Sequence, residues 1–278
     1  MQKYQFLLGA DDPEMREITK VLEEQRQDYA YALCDGAYVH AGNAYRAAPF
    51  SEIPDWVTLV LVECEPIILP KHYLRLDHHR PFDPGYAGTA EHYWESSSLG
   101  QLFAFLNLGA PSQEQLVLAA MDHCPAQALR GRCPGVTSEE VLARKVAEIV
   151  LKLHVSVDEV NARVQVMRER LDAAPEIEIG GQKLRDLREY DNGVGYSLDL
   201  LTAQLATLVG GYAVLLRTHD YKETREKWTI AGHCTPACVE AFLQDWAPRQ
   251  GLIDLYGVPN RGYAGGYKGE ENNVAEIE

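Results

Sequence analysis

Apolar positions in the first half of the chain fall into short dense runs and longer periodic stretches, separated by polar turns. KYQFLLG (residues 3–9) reads as a short buried strand. In DDPEMREITKVLEEQ (11–25), Asp12 followed by Pro13 predicts a helix start, because an acid can cap free N–H groups and Pro suits the first helical position. DYAYALC (28–34) is a second strand candidate. WVTLVLVEC (56–64) is the clearest one, with five apolar residues of six from Val57 to Val62, as in a strand covered on both faces. HYLRL (72–76) is another, ending at Asp77. SSSLGQLFAFLNL (96–108) and SQEQLVLAAMDHC (112–124) read as helices, the second running into Asp122. Strands alternating with helices predict an α/β domain: a parallel β-sheet with helices on both faces.

The pattern then changes twice. Residues 138–173 are helical and charged, which predicts a helical connector whose charge run is a solvated face. From Pro175 onward, EIEIGGQKL (176–184) predicts a hairpin. SLDLLTAQLATLV (197–209) predicts a helix, and GYAVLLRTH (211–219) and KWTIAGH (227–233) predict strands. TPACVEAFLQDWAPR (235–249) predicts a helix opened by Thr235 and Pro236. LIDLYGVPNRGYAGGYKG (252–269) closes the segment with glycine-rich backbone. The predicted organisation is a first domain over 1–137, the connector over 138–173, and a smaller α+β domain over 174–278 whose last eight or so residues are acidic and frayed.

Composition narrows the partners. The chain has 278 residues, is 46% hydrophobic and 24% charged, and carries a net charge of −15. Bulk binding of duplex DNA is therefore not expected, since phosphate neutralisation needs many Lys and Arg. An acidic protein acting on a small anion needs a bound metal or a few placed Arg residues. The six Cys form no CxxC pair, so reduced thiols are expected. Cys234, Cys238 and His233 lie close in sequence but lack the second ligand pair of a zinc site. The N-terminal apolar run is too short for a signal peptide, and no run approaches a membrane span, so a cytoplasmic location without membrane contact is expected.

Parallel sheets bind ligands beyond the carboxyl ends of their strands. Acids and imidazoles collect there: Asp11, Asp12 and Glu14 after the first strand, then Glu63 and Glu65, then Asp77, His78 and His79. Asp122 and His123 follow a helix. Unpaired, such a cluster is repulsive. A divalent cation relieves it, and carboxylates with imidazole suit Mn²⁺ or Mg²⁺, as one ion or two. The expectation is that Asp12, Glu63, His78 and Asp122 converge. The simpler roles are a helix cap for Asp12, a loop position for Glu65 and a surface site for His123.

At these residues the chain resembles the DHH phosphoesterase superfamily, over roughly residues 4–135. RLDHHRP (75–81) matches the Asp-His-His motif, VLVECEP (60–66) lies where a lone Asp is expected and has Glu63 instead, and LAAMDHC (118–124) matches the last motif with Asp122. The serine-rich helix at 96–105 is also similar. The first motif departs: with Asp12 and Glu14 aligned, Leu8 stands where a His belongs. The resemblance implies a divalent-metal-dependent phosphoesterase acting on a nucleotide or short oligonucleotide phosphodiester. It implies metal ligands Asp12, Glu14, Glu63, His78 and Asp122, phosphate contacts from His79 and Arg80, and Asp77 orienting an imidazole. Asp11 or His123 would enter a rearranged two-metal site. The family's C-terminal substrate domain implies a glycine-rich loop, for which IAGHCTPA (His233) and NRGYAGGYKG (Arg261, Gly265, Gly266) are the matches. Glycines let backbone N–H groups approach phosphate, Arg grips it, and Tyr263 and Tyr267 could stack on bases. The altered motifs leave a second reading: a relative that binds a nucleotide or a protein partner without catalysis.

Overall fold

The structure is a computed structural model and describes residues 3–50, 54, 56–190, 197–219 and 225–269. The expected frayed C-terminal residues lie outside these. The chain divides into two compact units, residues 1–141 and 142–278.

The first unit is built on a four-stranded, all-parallel sheet. Its strands are β1 (Lys3–Leu8), β2 (Tyr29–Tyr31), β5 (Val57–Val62) and β6 (Tyr73–Leu76), in the order β2-β1-β5-β6. β3 (Leu33–Cys34) and β4 (Ala37–Tyr38) form a small separate hairpin. β5 is buried along its whole length, which is why its pattern has no polar alternation. One face of the sheet packs Phe6, Leu8, Val60 and Val62 against Met15 and Ile18 of α1 (Pro13–Glu24) and Leu99 and Leu102 of α3 (Ser98–Phe105). The other face packs Leu7, Leu59 and Leu61 beneath Ala32, Val39, Ala44 and Ala47. There the cover is the hairpin and a 3₁₀ turn at Ala44–Arg46. Between β6 and residue 141 stand α2 (Tyr93–Ser96), α3, α4 (Gln113–His123) and α5 (Pro125–Ala128). A Ser112/Gln115 capping box opens α4.

α6 (Ser138–Leu153) and α7 (Val157–Ala173) occupy the segment predicted as a helical connector. In the second unit, Met167 and Leu171 of α7 pack on Ala203 and Ala206 of α8 (Leu198–Gly210). The second sheet is mixed and six-stranded, in the order β11-β12-β10-β9-β8-β7. Its strands are β7 (Glu176–Ile179), β8 (Gln182–Asp186), β9 (Ala213–His219), β10 (Glu226–Gly232), β11 (Leu252–Val258) and β12 (Tyr263–Lys268). Only the β8–β9 pair is parallel. Gly180 and Gly181 turn the β7–β8 hairpin with φ of 58° and 76°, as a two-residue turn requires. A Cβ at Gly180 would meet Ala241 of α9 (Pro236–Ala241) at 2.7 Å. α9 continues through a π-turn at Phe242–Trp246 into α10 (Ala247–Arg249). Phe242 and Trp228 lie in the core on this face of the sheet. The chain is thus an α/β protein with a parallel sheet and helices, followed by a smaller α+β unit. No helix among the described residues is long and apolar enough to cross a membrane.

Candidate metal centre

Parallel pairing aligns the strand ends of the first unit: Leu8 sits beside Val62, and Val62 beside Leu76. The residues that follow leave the sheet along one edge. Glu63 turns out of β5 with a φ of 51°, left-handed backbone that is costly for a residue with a Cβ. Gly9 makes this possible, since its Cβ would collide with the Glu63 carbonyl, and its N–H donates to Val62 O at 2.8 Å. α1 brings Glu14 to the same edge, and the last turn of α4 brings Asp122.

Glu14, Glu63, His78 and Asp122 each offer a ligand atom, and these four atoms lie within 4.8 Å of one another. Glu14 and His78 are 1% and 0% exposed, Glu63 6%. The Asp122 side chain alone retains appreciable exposure, at 26%. His78 Nε2 lies 3.0 Å from Asp122 Oδ2 and 3.7 Å from Glu63 Oε1. Glu14 Oε1 accepts from Leu99 N–H at the start of α3, at 3.1 Å. Glu14 Oε2 and Glu63 Oε1 are buried and receive no hydrogen bond among the described residues.

The electrostatics record the crowding. Burial, then the charges of Asp122, Glu63 and Asp12, push the Glu14 carboxyl well above its ordinary value. Burial, with Asp122 and Asp12 adding against the pull of His79, raises Glu63 to about 8. Burial also acts to raise Asp122, but the contact with His78 overrules it and holds Asp122 below the usual carboxylate range. Two buried carboxyls and the part-exposed Asp122 thus face one imidazole, and the buried two reach neutrality only by keeping a proton. A divalent cation satisfies all four groups at once, and the donor set of carboxylates with one imidazole fits such an ion.

The His78 ring is set by a relay. His123 Nε2 lies 3.2 Å from the Gly88 carbonyl, and its Nδ1 lies 3.4 Å from His78 Nδ1. With His123 Nε2–H donating to Gly88, its Nδ1 accepts from His78 Nδ1–H. In the chain alone His78 Nε2–H faces Asp122 as the donor that lowers it, and with an ion bound this relay would free Nε2 to offer its lone pair. A Cβ at Gly88 would collide with the Ser96 side chain and press on His123 Nε2 at 3.0 Å, so that position favours glycine.

Asp77 stays out of the cluster and organises its neighbours. Its Oδ1 accepts from the N–H groups of His78 and His79 at 2.6 and 3.0 Å, and pairs with His79 Nδ1 at 3.0 Å. Tyr45 Oη–H donates to both its oxygens, at 3.1 and 3.0 Å. Although burial opposes it, this set holds Asp77 ionised, below its ordinary value. His79 moves the other way. Burial disfavours its charge, yet Asp77 and Glu63 raise it to about 9. A second grouping, Glu63, His78 and His79, also has ligand atoms within 4.8 Å.

Some expected residues are engaged otherwise. Asp12 Oδ1 accepts from Met15 N–H at 2.8 Å, capping α1, and Asp12 stands outside the four-residue set. Burial and Asp122 still raise it to about 6. Asp11 pairs with Arg16 on the surface. The Arg80 guanidinium forks onto Glu65 at 3.1 and 2.8 Å and lies 4.2 Å over the Tyr45 ring, so Glu65 is an ion-pair partner, joined also by Arg75. In the second unit, Gly265 and Gly266 lie inside β12, which pairs with β10 and β11. That pairing replaces the open N–H cradle expected of them, and a Cβ at Gly265 would strike the Tyr256 ring. His233 Nε2–H donates to the Leu208 carbonyl at 2.9 Å. Arg261 ends a 3₁₀ turn, Pro259–Arg261, before Gly262 at φ 74°. Tyr45 and Gln101 were not anticipated from the sequence. Gln101 grips both the N–H and the carbonyl of Asp77, at 3.1 and 3.0 Å. Tyr45 lies in an irregular segment with no periodic signal.

No family model matches the chain, and no curated protein matches it. Among solved structures it is similar to PggH, a pGpG-specific phosphodiesterase from Vibrio cholerae, at 11% identity and a TM-score of 0.34, over 97% of this chain and 94% of that one. The reading of the site rests on its own side chains.

Proposed function

We propose that the chain is a divalent-metal-dependent phosphoesterase that hydrolyses a nucleotide or short oligonucleotide phosphodiester. The observation that carries this is the set Glu14, Glu63, His78 and Asp122, three of them buried, with two carboxylate oxygens that receive no hydrogen bond among the described residues. Mn²⁺ suits three carboxylates and an imidazole, with Mg²⁺ the harder alternative. When bound, the ion supplies Lewis-acid polarisation of the phosphoryl oxygens and activates a water at neutral pH. The chain's residues do the remainder. His79, raised to about 9 and fixed through Nδ1 by Asp77, is protonated at neutral pH and donates to a phosphoryl oxygen or the leaving group. Tyr45 and Gln101 keep Asp77 in place, and Arg80 supplies positive charge beside the site from its Glu65 pair. Asp12, close enough to Asp122 to be titrated by it, completes the acidic lining. Arg261 is the second unit's candidate phosphate contact. We place the protein in the cytoplasm.

One observation favours binding without catalysis. Leu8 occupies the position of the absent His and is fully buried in the sheet, so nothing there replaces the lost ligand. Metal content after purification, followed by hydrolysis of dinucleotides, short RNA and DNA, and p-nitrophenyl phosphate esters with Mn²⁺, separates the two readings. The phosphoesterase reading expects bound or readily acquired Mn²⁺ and turnover of at least one diester. Metal-free protein that turns over nothing in the panel would leave the binding reading.

A further inference from the structure

The strongest chemistry outside the acid cluster is a pair of thiols. Cys124 ends α4 and begins α5, and Cys133 returns to it after a turn at Gly131, whose φ is 66°. Both are buried, at 5% and 2% exposure, and their sulfurs lie 3.3 Å apart. The turn before Cys133 and the residues after it are open to solvent: Arg130, Gly131, Arg132, Pro134 and Gly135 are all exposed. Cys234 and Cys238 make a second thiol contact in the other unit, and what distinguishes the first pair is the exposed turn beside it. The remaining contacts are to oxygen. Cys64 Sγ–H donates to the Leu7 carbonyl and Cys234 Sγ–H to the Ala231 carbonyl, each at 3.3 Å. Cys34 sits beside the Asp35 carboxylate.

We propose that Cys124 and Cys133 form a site of reversible oxidation, closing to an intramolecular disulfide when the protein meets a hydroperoxide. The turn supplies access, because a short four-residue helix and an exposed loop open locally at little cost. The contact with Cys124 also lowers Cys133 below the ordinary thiol value, which favours its thiolate as the attacking sulfur. That sulfur takes the distal oxygen of the hydroperoxide. The O–O bond breaks, the remaining alkoxide leaves as the alcohol with a proton, and Cys133 becomes a sulfenic acid. The Cys124 sulfur then attacks the Cys133 sulfur. The S–O bond breaks, and hydroxide leaves as water with the remaining thiol proton. Two thiols and one hydroperoxide thus give one disulfide, one alcohol and one water, and a dithiol reductant reverses the change by exchange.

The bond would reach the acid cluster through the chain. Asp122 and His123 immediately precede Cys124, and the two sulfurs must close by about 1.2 Å to bond. Pulling on the end of α4 shifts Asp122 and the His123 relay and loosens the ion. This consequence, unlike the bond itself, rests on the metal reading above.

The test uses the reduced full chain. It is treated with hydrogen peroxide, alkylated, and mapped by mass spectrometry with and without dithiothreitol. We expect a loss of about 2 Da in a linked peptide pair containing Cys124 and Cys133, reversed by reductant. A ten-residue loop closed in this way should also raise Tm by about 5 °C. Cys133→Ser should abolish the link. Full alkylation of both thiols after treatment, a sulfinic acid at either, or a link confined to Cys234 and Cys238 would overturn the proposal, and mapping of the unmutated chain decides this even where the variant folds poorly. Calorimetry with Mn²⁺ on both forms tests the coupling, with roughly tenfold weaker binding expected after oxidation. Equal affinities would remove the coupling and leave the thiol site. Absence of Mn²⁺ binding in either form would overturn the metal reading instead.

Discussion

The carboxyl edge of the first sheet and the glycine-rich β12 of the second are both crowded with groups suited to a metal or a phosphate, yet they are built on opposite terms. In β12 the polar backbone of Gly265 and Gly266 is enclosed by neighbouring strands, and His233 is tied to the Leu208 carbonyl. At the carboxyl edge, two buried carboxylate oxygens lack donors among the described residues, and Glu63 occupies backbone that a side chain avoids. Folding alone accounts for the first arrangement. The second is costly, met in the chain alone by protons held on Glu14 and Glu63, and an ion would relieve it. Residue type did not separate the two regions; satisfaction did.

The comparison can be sharpened first at His78. His78→Ala removes the one nitrogen ligand and leaves three facing carboxyls, so Mn²⁺ affinity measured by calorimetry should fall more than about 100-fold, and diesterase activity with it. An equal loss from Gly265→Ala at unchanged Tm would break the contrast between the regions.

The next effect is on stability against pH. For metal-free protein, Glu63 has a folded value of about 8 against an ordinary 4.5, and Asp12 about 6 against 3.8. Between those values the folded state holds more protons than the unfolded chain, so stability falls as pH rises. His79, raised from 6.5 to about 9, adds stability that is full below 6.5 and lost through 9, in the same direction. Tm of the metal-free protein should therefore drop from pH 5 to pH 8. With saturating Mn²⁺ the trend should reverse, because the ligands must lose protons to bind. A flat metal-free profile would show that the carboxyls are not strained against one another.

A smaller effect separates positioning from packing. Tyr45→Phe keeps the ring beneath Arg80 but loses the hydrogen bonds to Asp77, and should cost roughly 1–3 kcal/mol of stability. Its kinetic signature should be a lower kcat with little change in KM, since His79 loses its brace while the metal ligands stay. Arg261→Ala should show the reverse, a higher KM at similar kcat. An unchanged KM would remove Arg261 from substrate binding.

Much of the first unit was legible because its signals are local. The run at Val57–Val62, the Asp12-Pro13 cap and the polar residues closing each strand follow from two periodicities and one capping rule. The parallel edge brings Glu63, His78 and Asp122 together. What sequence could not rank was Asp12 against Glu14. Both are acids in a first helical turn, and only the packing of α3 on α1 shows that Glu14 points inward while Asp12 caps. The sequence offers Arg80 as a phosphate contact but does not show Glu65, fifteen residues earlier, as the partner that holds its guanidinium. Tyr45 contacts Asp77 across 32 positions from a segment with no period, which no local pattern encodes. In the second unit the glycines looked like a loop because glycine is common in loops. Their reason is steric room for Tyr256 and Leu255 inside a sheet.

The uneven exposure of the four clustered residues has a consequence for rates. Three are almost sealed, and only Asp122 keeps a face toward solvent, at 26%. An arriving ion would therefore shed its water stepwise, touching Asp122 first, and a departing ion would leave by the same door. Loading and unloading should both be slow and first order in protein, with chelator removal limited by opening at the end of α4 rather than by chelator concentration. Asp122→Asn should slow capture more than it speeds release. A stopped-flow chase with Mn²⁺ and a coloured chelator reads both rates on one sample.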